Sequence, residues 1–205
     1  EKIMSTLNLA GIEVRGLVTS DNEFTTLKFM HLNERGDLKI SFARKPGADS
    51  CIRFDELDFS LIDEAMVFSF GGLALTNGPI RSTTYQAVAY AKSKGKLISF
   101  NSSCEKTLWS SAEDAKKQVK WGLRQADIVK ISDEEIRCFF SLDVESGVRY
   151  ILEEYKVKLV VVACGVKEFY FCNCNGGGKI DGLSDVNPMV AAYAGDYMWG
   201  NIVWK

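Results

Sequence analysis

Ala126-Asp127-Ile128-Val129-Lys130-Ile131-Ser132-Asp133-Glu134-Glu135 joins two kinds of order within a short stretch. Asp127 to Ile131 is a short, mostly apolar run, the pattern of a buried strand. Ser132-Asp133-Glu134-Glu135 is a capping box: the serine can accept from the N–H three residues on, and the glutamate can reach back to the serine N–H. A strand that runs straight into a capped helix is half of a βαβ unit.

The same alternation recurs on both sides. Upstream, Ala65 to Phe70 reads as a strand ending in Gly71-Gly72, Ser82 to Lys94 as a helix with Thr84, Val88 and Ala91 on one face, and Lys96 to Phe100 as a strand. Ser110-Ser111-Ala112-Glu113 offers a first capping box, and Ala112, Ala115, Val119, Leu123 and Ala126 follow at helical spacing. Downstream, Val144, Val148, Ile151, Leu152 and Tyr155 form a helical stripe, and Val157 to Ala163 is a continuous apolar strand. Phe169 to Cys172 reads as another strand and Asn173 to Gly178 as a glycine-rich turn. Strands alternating with amphipathic helices predict an α/β fold with a mostly parallel sheet and helices on both faces. Ligands of such sheets bind beyond the carboxyl ends of the strands.

The first 45 residues break this rhythm. Gly11 fits a helix C-cap, and Ile12 to Val18 reads as extended. Phe24 to Leu32 and Leu38 to Ala43 form a hairpin about the polar turn Asn33-Glu34-Arg35-Gly36-Asp37. Arg44-Lys45-Pro46-Gly47-Ala48-Asp49 leaves it as a loop, either a solvated turn or a charged rim of a pocket.

Composition narrows the function classes. The chain has 205 residues, 46 % hydrophobic and 25 % charged, with a net charge of −2. No basic run favours nucleic acid, and no apolar run is long enough for a membrane helix. Six scattered cysteines and one histidine, His31 on the hairpin, argue against a zinc site and for reduced thiols in the cytoplasm. Both ends read as helix interiors, so further chain is expected before Glu1 and after Lys205.

Near the C-terminus, Ala192-Tyr193-Ala194-Gly195-Asp196-Tyr197-Met198-Trp199-Gly200 reads as a loop turning into a helix. A helix start presents unpaired N–H groups and a positive dipole end to a phosphate. An aspartate there could accept a proton from an attacking hydroxyl. It could equally be a favourable first-turn acid on a core helix.

Taken together, Arg44–Asp49, Phe68-Ser69-Phe70-Gly71-Gly72-Leu73-Ala74-Leu75-Thr76, Leu108-Trp109, Ala126–Glu135 and Ala194-Gly195-Asp196 resemble, in order, the ribokinase-like (PfkB) carbohydrate kinases, and the fructokinases among them. The resemblance implies a three-layer, Rossmann-like α/β core, residues 1–11 and 45–205, with a β-hairpin lid at 12–44 that can also contact a partner subunit as a homodimer. It implies transfer of the ATP γ-phosphate to a hydroxyl of a small sugar, assisted by Mg²⁺. The family's D-T-x-G-A-G-D signature places its catalytic base on Asp196 and its anion hole on Gly195, Ala194 and Tyr193. Its N-x-x-E motif falls on Ser132 and Glu135, with Glu135 on the metal side and Ser132 on the nucleotide side. A T-x-G turn against the nucleotide retains only Gly165. Arg44 and Asp49 fall on the substrate side.

The sequence also departs from the pattern. Tyr193 replaces the first glycine of the hole, Val190 and Ala191 replace the leading acid and threonine, and Ala163 replaces the threonine of T-x-G. A loop of the form D-x-N-x-R reads Asn101-Ser102-Ser103-Cys104-Glu105. These changes leave open a non-catalytic kinase fold that binds sugar, nucleotide or a protein partner, and a purely structural module.

Overall fold

The structure, a computed structural model, describes residues 2–35, 38–102, 105–165, 168–182, 196, 198–200 and 202–203. Helix α1 (Lys2–Leu9) is followed by an irregular stretch and then by strands β1 (Leu27–Leu32) and β2 (Leu38–Ala43), which pair antiparallel as a separate two-stranded ribbon. Ile12 to Val18 is not a strand: the Leu17 N–H donates to the Val14 carbonyl in a turn, and no strand among the described residues pairs with it.

The main sheet has six strands in sequence order: β3 (Val67–Gly71), β4 (Leu97–Asn101), β5 (Ile128–Ser132), β6 (Leu159–Cys164), β7 (Glu168–Asn173) and β8 (Gly176–Asp181). The first four are parallel, and β7 and β8 return antiparallel. Helix α2 (Phe59–Glu64) leads into β3. Helices α3 (Gly78–Ser93), α4 (Ala112–Gln125), and α5 (Asp133–Phe140) with α6 (Val144–Tyr155) make the three parallel crossovers. Right-handed crossovers that advance in one direction place their helices on one face. Register identifies that face: Phe70, Phe100, Val129 and Val160 lie side by side, and all belong to the buried core. Phe70 and Phe100 stack at 4.9 Å between ring centroids. Gly122 of α4 allows this packing, since a Cβ there would come within 2.5 Å of the Phe100 ring.

The opposite face carries the row Asn101, Lys130, Val161, Phe171. Above it lies the helical segment of residues 196, 198–200 and 202–203, since Lys130 reaches Asp196. Helices therefore flank both faces, as the alternation of strands and helices predicts.

Two local expectations need correction. Helix α3 starts earlier than the hydrophobic spacing suggests, because Pro79 sits in its first turn, where a missing N–H leaves no bond unmade. The glycine-rich stretch after Asn173 is largely strand β8 rather than turn. Its glycines permit close approach: a Cβ on Gly177 would meet the Phe171 carbonyl oxygen at 2.5 Å.

Candidate active site

The loops that follow the parallel strands gather at one edge of the sheet. At the end of β5, Ser132 caps α5, and its hydroxyl accepts from the Glu135 N–H at 3.1 Å while the Glu135 carboxylate accepts from the Ser132 N–H at 2.8 Å. The capping box expected from the sequence is therefore formed. Glu135 also serves a second loop: the buried Ser102 hydroxyl, just past β4, donates to the same carboxylate oxygen at 2.6 Å. The Ser102 N–H extends the sheet ladder by donating to the Lys130 carbonyl at 2.9 Å. Glu135 thus joins the ends of two adjacent strands.

Lys130 emerges from β5 on the opposite face from the core. Its side chain is 13 % exposed, and its ammonium stands 3.7 Å from the Asp196 carboxylate, which is 65 % exposed. An exposed carboxylate, a sheltered ammonium and an anchored glutamate converge on the carboxyl edge, where α/β sheets bind ligands. Gly165 follows β6 with φ +62°, a left-handed conformation that favours glycine. A Cβ there would touch nothing within 4 Å, so backbone conformation rather than space selects glycine.

Gly195, Ala194 and Tyr193, expected to form an anion hole, lie outside the described residues, as do Val190 and Ala191. Arg44 and Asp49 are engaged with each other at the loop after β3. Arg44 Nε donates to Asp49 Oδ2 at 2.8 Å, and its terminal nitrogens donate to the Thr76 hydroxyl at 2.8 Å and the Leu73 carbonyl at 3.1 Å. Asp49 also accepts from the Thr26 hydroxyl. This side-chain cluster ties the chain leaving the β1–β2 ribbon to the loop after β3. Asp49 stays exposed to solvent while Arg44 is buried beneath it. From the far side, Arg81 donates to the Leu75 and Thr76 carbonyls of the same loop and pairs with Asp114 of α4 at 2.7 Å.

Among the described residues no three His, Cys, Asp or Glu side chains converge into a metal cage. Mg²⁺ does not require one: it keeps several waters and is commonly held by one or two carboxylates with substrate phosphates. Glu135, a carboxylate fixed by two donors at the ligand edge, fits that kind of donor set.

The sequence reading assigned no role to Lys130 or Ser102. The signal for Lys130 was present: a lysine within an otherwise apolar strand of a parallel sheet is unusual, because lysine is rarely buried without a partner. Ser102 carried no comparable signal, since a loop serine reveals its partner only in three dimensions.

Comparison with known proteins identifies the family and the fold. The model of the pfkB family carbohydrate kinases matches residues 1–203. The chain is 31 % identical over 196 residues to probable fructokinase-4 of Arabidopsis thaliana, covering 95 % of this chain and 60 % of that one. It is 35 % identical over 156 residues to fructokinase-1 of Zea mays, covering 76 % of this chain and 48 % of that one. The chain therefore spans about half to three fifths of the length of these relatives. Among solved structures, the fructokinase with bound ATP from Xylella fastidiosa superposes with a TM-score of 0.81 at 22 % identity, over 97 % of this chain and 63 % of that one. The Vibrio cholerae O395 fructokinase in its fructose, ADP and calcium ion bound form gives a TM-score of 0.79 at 22 % identity, over 98 % of this chain and 66 % of that one. These likenesses establish a shared fold.

Proposed function

The chain belongs to the pfkB family of carbohydrate kinases, and from that premise we propose that its protein transfers the γ-phosphate of ATP to a hydroxyl of a sugar, fructose foremost. The observation that carries the proposal is the Asp196 carboxylate, exposed above the sheet and next to the Lys130 ammonium. In this reading Asp196 is the general base. It accepts the proton of the sugar hydroxyl as the hydroxyl oxygen bonds to the γ-phosphorus, while the bond to the β–γ bridging oxygen breaks and ADP leaves with the electron pair. Phosphoryl transfer needs positioning and charge stabilisation more than covalent assistance.

Ser132 and Gly165 line the nucleotide side of the edge, and Glu135, steadied by Ser102, is the residue that would hold Mg²⁺. The bound ion would offset charge on the phosphate oxygens. Arg44 and Asp49 serve the sugar side indirectly, by fixing the exit of the lid, residues 12–44. Gly195, Ala194 and Tyr193 remain the proposed anion hole. The Xylella fructokinase with bound ATP and the Vibrio fructokinase with bound fructose, ADP and calcium ion support ATP and a divalent metal as ligands.

We read the lid as the contact for a second copy of the chain, because Leu27 and Phe29 stand exposed on one face of a two-stranded ribbon. Such a ribbon gains stability only by packing against something else. Sedimentation at increasing concentration tests this, and a monomer throughout would remove the reading. The described cysteines are unpaired, which supports a reducing compartment, the cytoplasm. No described helix is long and apolar enough to cross a membrane.

The experiment is ATP-dependent phosphorylation of a sugar panel by the protein that carries this chain, with and without Mg²⁺. Mg²⁺-dependent turnover of fructose is the expected result. Thermal stabilisation by ATP or sugar without turnover would favour the non-catalytic alternative, and its structural basis would be sought at Tyr193.

A further inference from the structure

Among the described residues, Lys130 is a sheltered cation with an incomplete counter-charge. Its neighbours across the face are neutral: Asn101 on β4 and Val161 on β6 flank it in register, with Gly71 and Phe171 beyond them. Among the described residues its ionic partner is Asp196, at 3.7 Å. A charge-assisted N–H···O bond is shorter, about 2.7–2.9 Å. An ammonium withdrawn from water requires an anion in contact, and Asp196 supplies one only loosely while facing solvent itself.

We propose that Lys130 binds the transferring phosphoryl group and exchanges partners as it does so. In the free protein its ammonium faces Asp196. With ATP in place it turns to a γ-phosphate oxygen, and the Asp196 carboxylate opens to the sugar hydroxyl. The hydroxyl oxygen then bonds to phosphorus, its proton passes to Asp196, and ADP departs with the electrons of the broken bond. Lysine suits this exchange because its compact charge sits on a flexible stem that can swing between two anions. The inference rests on the kinase reading above. It adds a residue that responds to the third phosphate and so distinguishes ATP from ADP.

The test compares the wild-type protein with Lys130→Met and Lys130→Arg. Calorimetry gives Kd for ADP and for the non-hydrolysable β,γ-imido analogue of ATP. Steady-state kinetics give kcat and KM, and thermal unfolding gives Tm. Lys130→Met should lower kcat about 100-fold. It should weaken the analogue about tenfold more than ADP and leave the KM for fructose within about twofold. Lys130→Arg, which keeps the charge, should recover a large part of both losses. Equal weakening of analogue and ADP, or a kcat within threefold of wild type in Lys130→Met, would overturn the proposal. So would a lower Tm with an unchanged ratio of the two affinities, because a lysine that only docks the Asp196 helix would behave that way. If the wild-type protein phosphorylates no sugar, the kinase reading fails by itself. The analogue-to-ADP ratio then still decides whether Lys130 senses the third phosphate.

Discussion

Two sheltered cations sit near the same edge of this sheet, and among the described residues they differ in how completely their partners satisfy them. Arg44, 3 % exposed, meets Asp49 at 2.8 Å and also donates to Thr76 and to the Leu73 carbonyl. Lys130, 13 % exposed, meets one exposed carboxylate at 3.7 Å. Arg44 spreads its donors over three partners and locks two chain segments together. Lys130 has its charge in place and its partner at a distance. Saturation marks a strut, and incomplete pairing at a ligand edge marks a group kept for something that arrives.

The largest effect that would sharpen this contrast is expected at Asp196. Asp196→Asn should reduce turnover about 1000-fold while leaving nucleotide and sugar affinity nearly intact. Retained turnover would show that another group takes the proton, and the Lys130 side of the comparison would lose its meaning.

Arg44 comes next, and the effect there is on stability. Arg44→Met leaves the Thr76 hydroxyl, the Leu73 carbonyl and the Asp49 carboxylate short of a donor, and should lower stability by about 2 kcal/mol in urea unfolding. A tenfold or larger rise in sugar KM with stability unchanged would break the comparison and return Arg44 to the substrate.

A smaller effect is expected at Glu135. Glu135→Gln keeps an acceptor for Ser102 and Ser132 but removes the charge. The Mg²⁺ concentration for half-maximal activity should rise about tenfold with little change in Tm. The reverse pattern, a lower Tm with an unchanged Mg²⁺ requirement, would leave Glu135 as a helix cap alone.

The smallest effect concerns the second strut of the loop after β3. Burial favours the neutral acid at Asp114, but the Arg81 guanidinium and the Ser110 hydroxyl outweigh it, and the pKa lies below the ordinary carboxylate value. A depressed folded-state pKa gives stability that is present above the unfolded value and is lost as pH falls through the folded one. Asp114→Asn should therefore unfold at a lower temperature than wild type near neutral pH, and the gap should close on acidification below the ordinary carboxylate range. A gap that does not change with pH would assign the contact to packing rather than to charge.

How much of this could be read from the chain depended on how local the cause was. Ser132 and Glu135 are three residues apart, and their capping box forms as the spacing predicts. The parallel strands follow from apolar runs alternating with helical stripes, and the hairpin follows from its polar turn. Strand β8 escaped because its glycines suggest a turn until Phe171 is seen lying against them. Arg44 was expected on the substrate side; that it donates to Thr76, 32 residues away, is a contact of which sequence gives no measure.

The sequence by itself determined the α/β class, the order of the strands along the chain, the capping box that starts α5, and the resemblance to the family motif that ends in Asp196. Those features depend on periodicity and on hydrogen bonds a few residues long. The tertiary structure alone decided how completely each cation is paired among the described residues, that Ser102 and Ser132 share one glutamate, and that Lys130 faces Asp196 rather than the core. Each of these is fixed by strand register and by which face a side chain takes. Register is set by packing the whole sheet at once, and a slip of one residue would turn Lys130 to the other face.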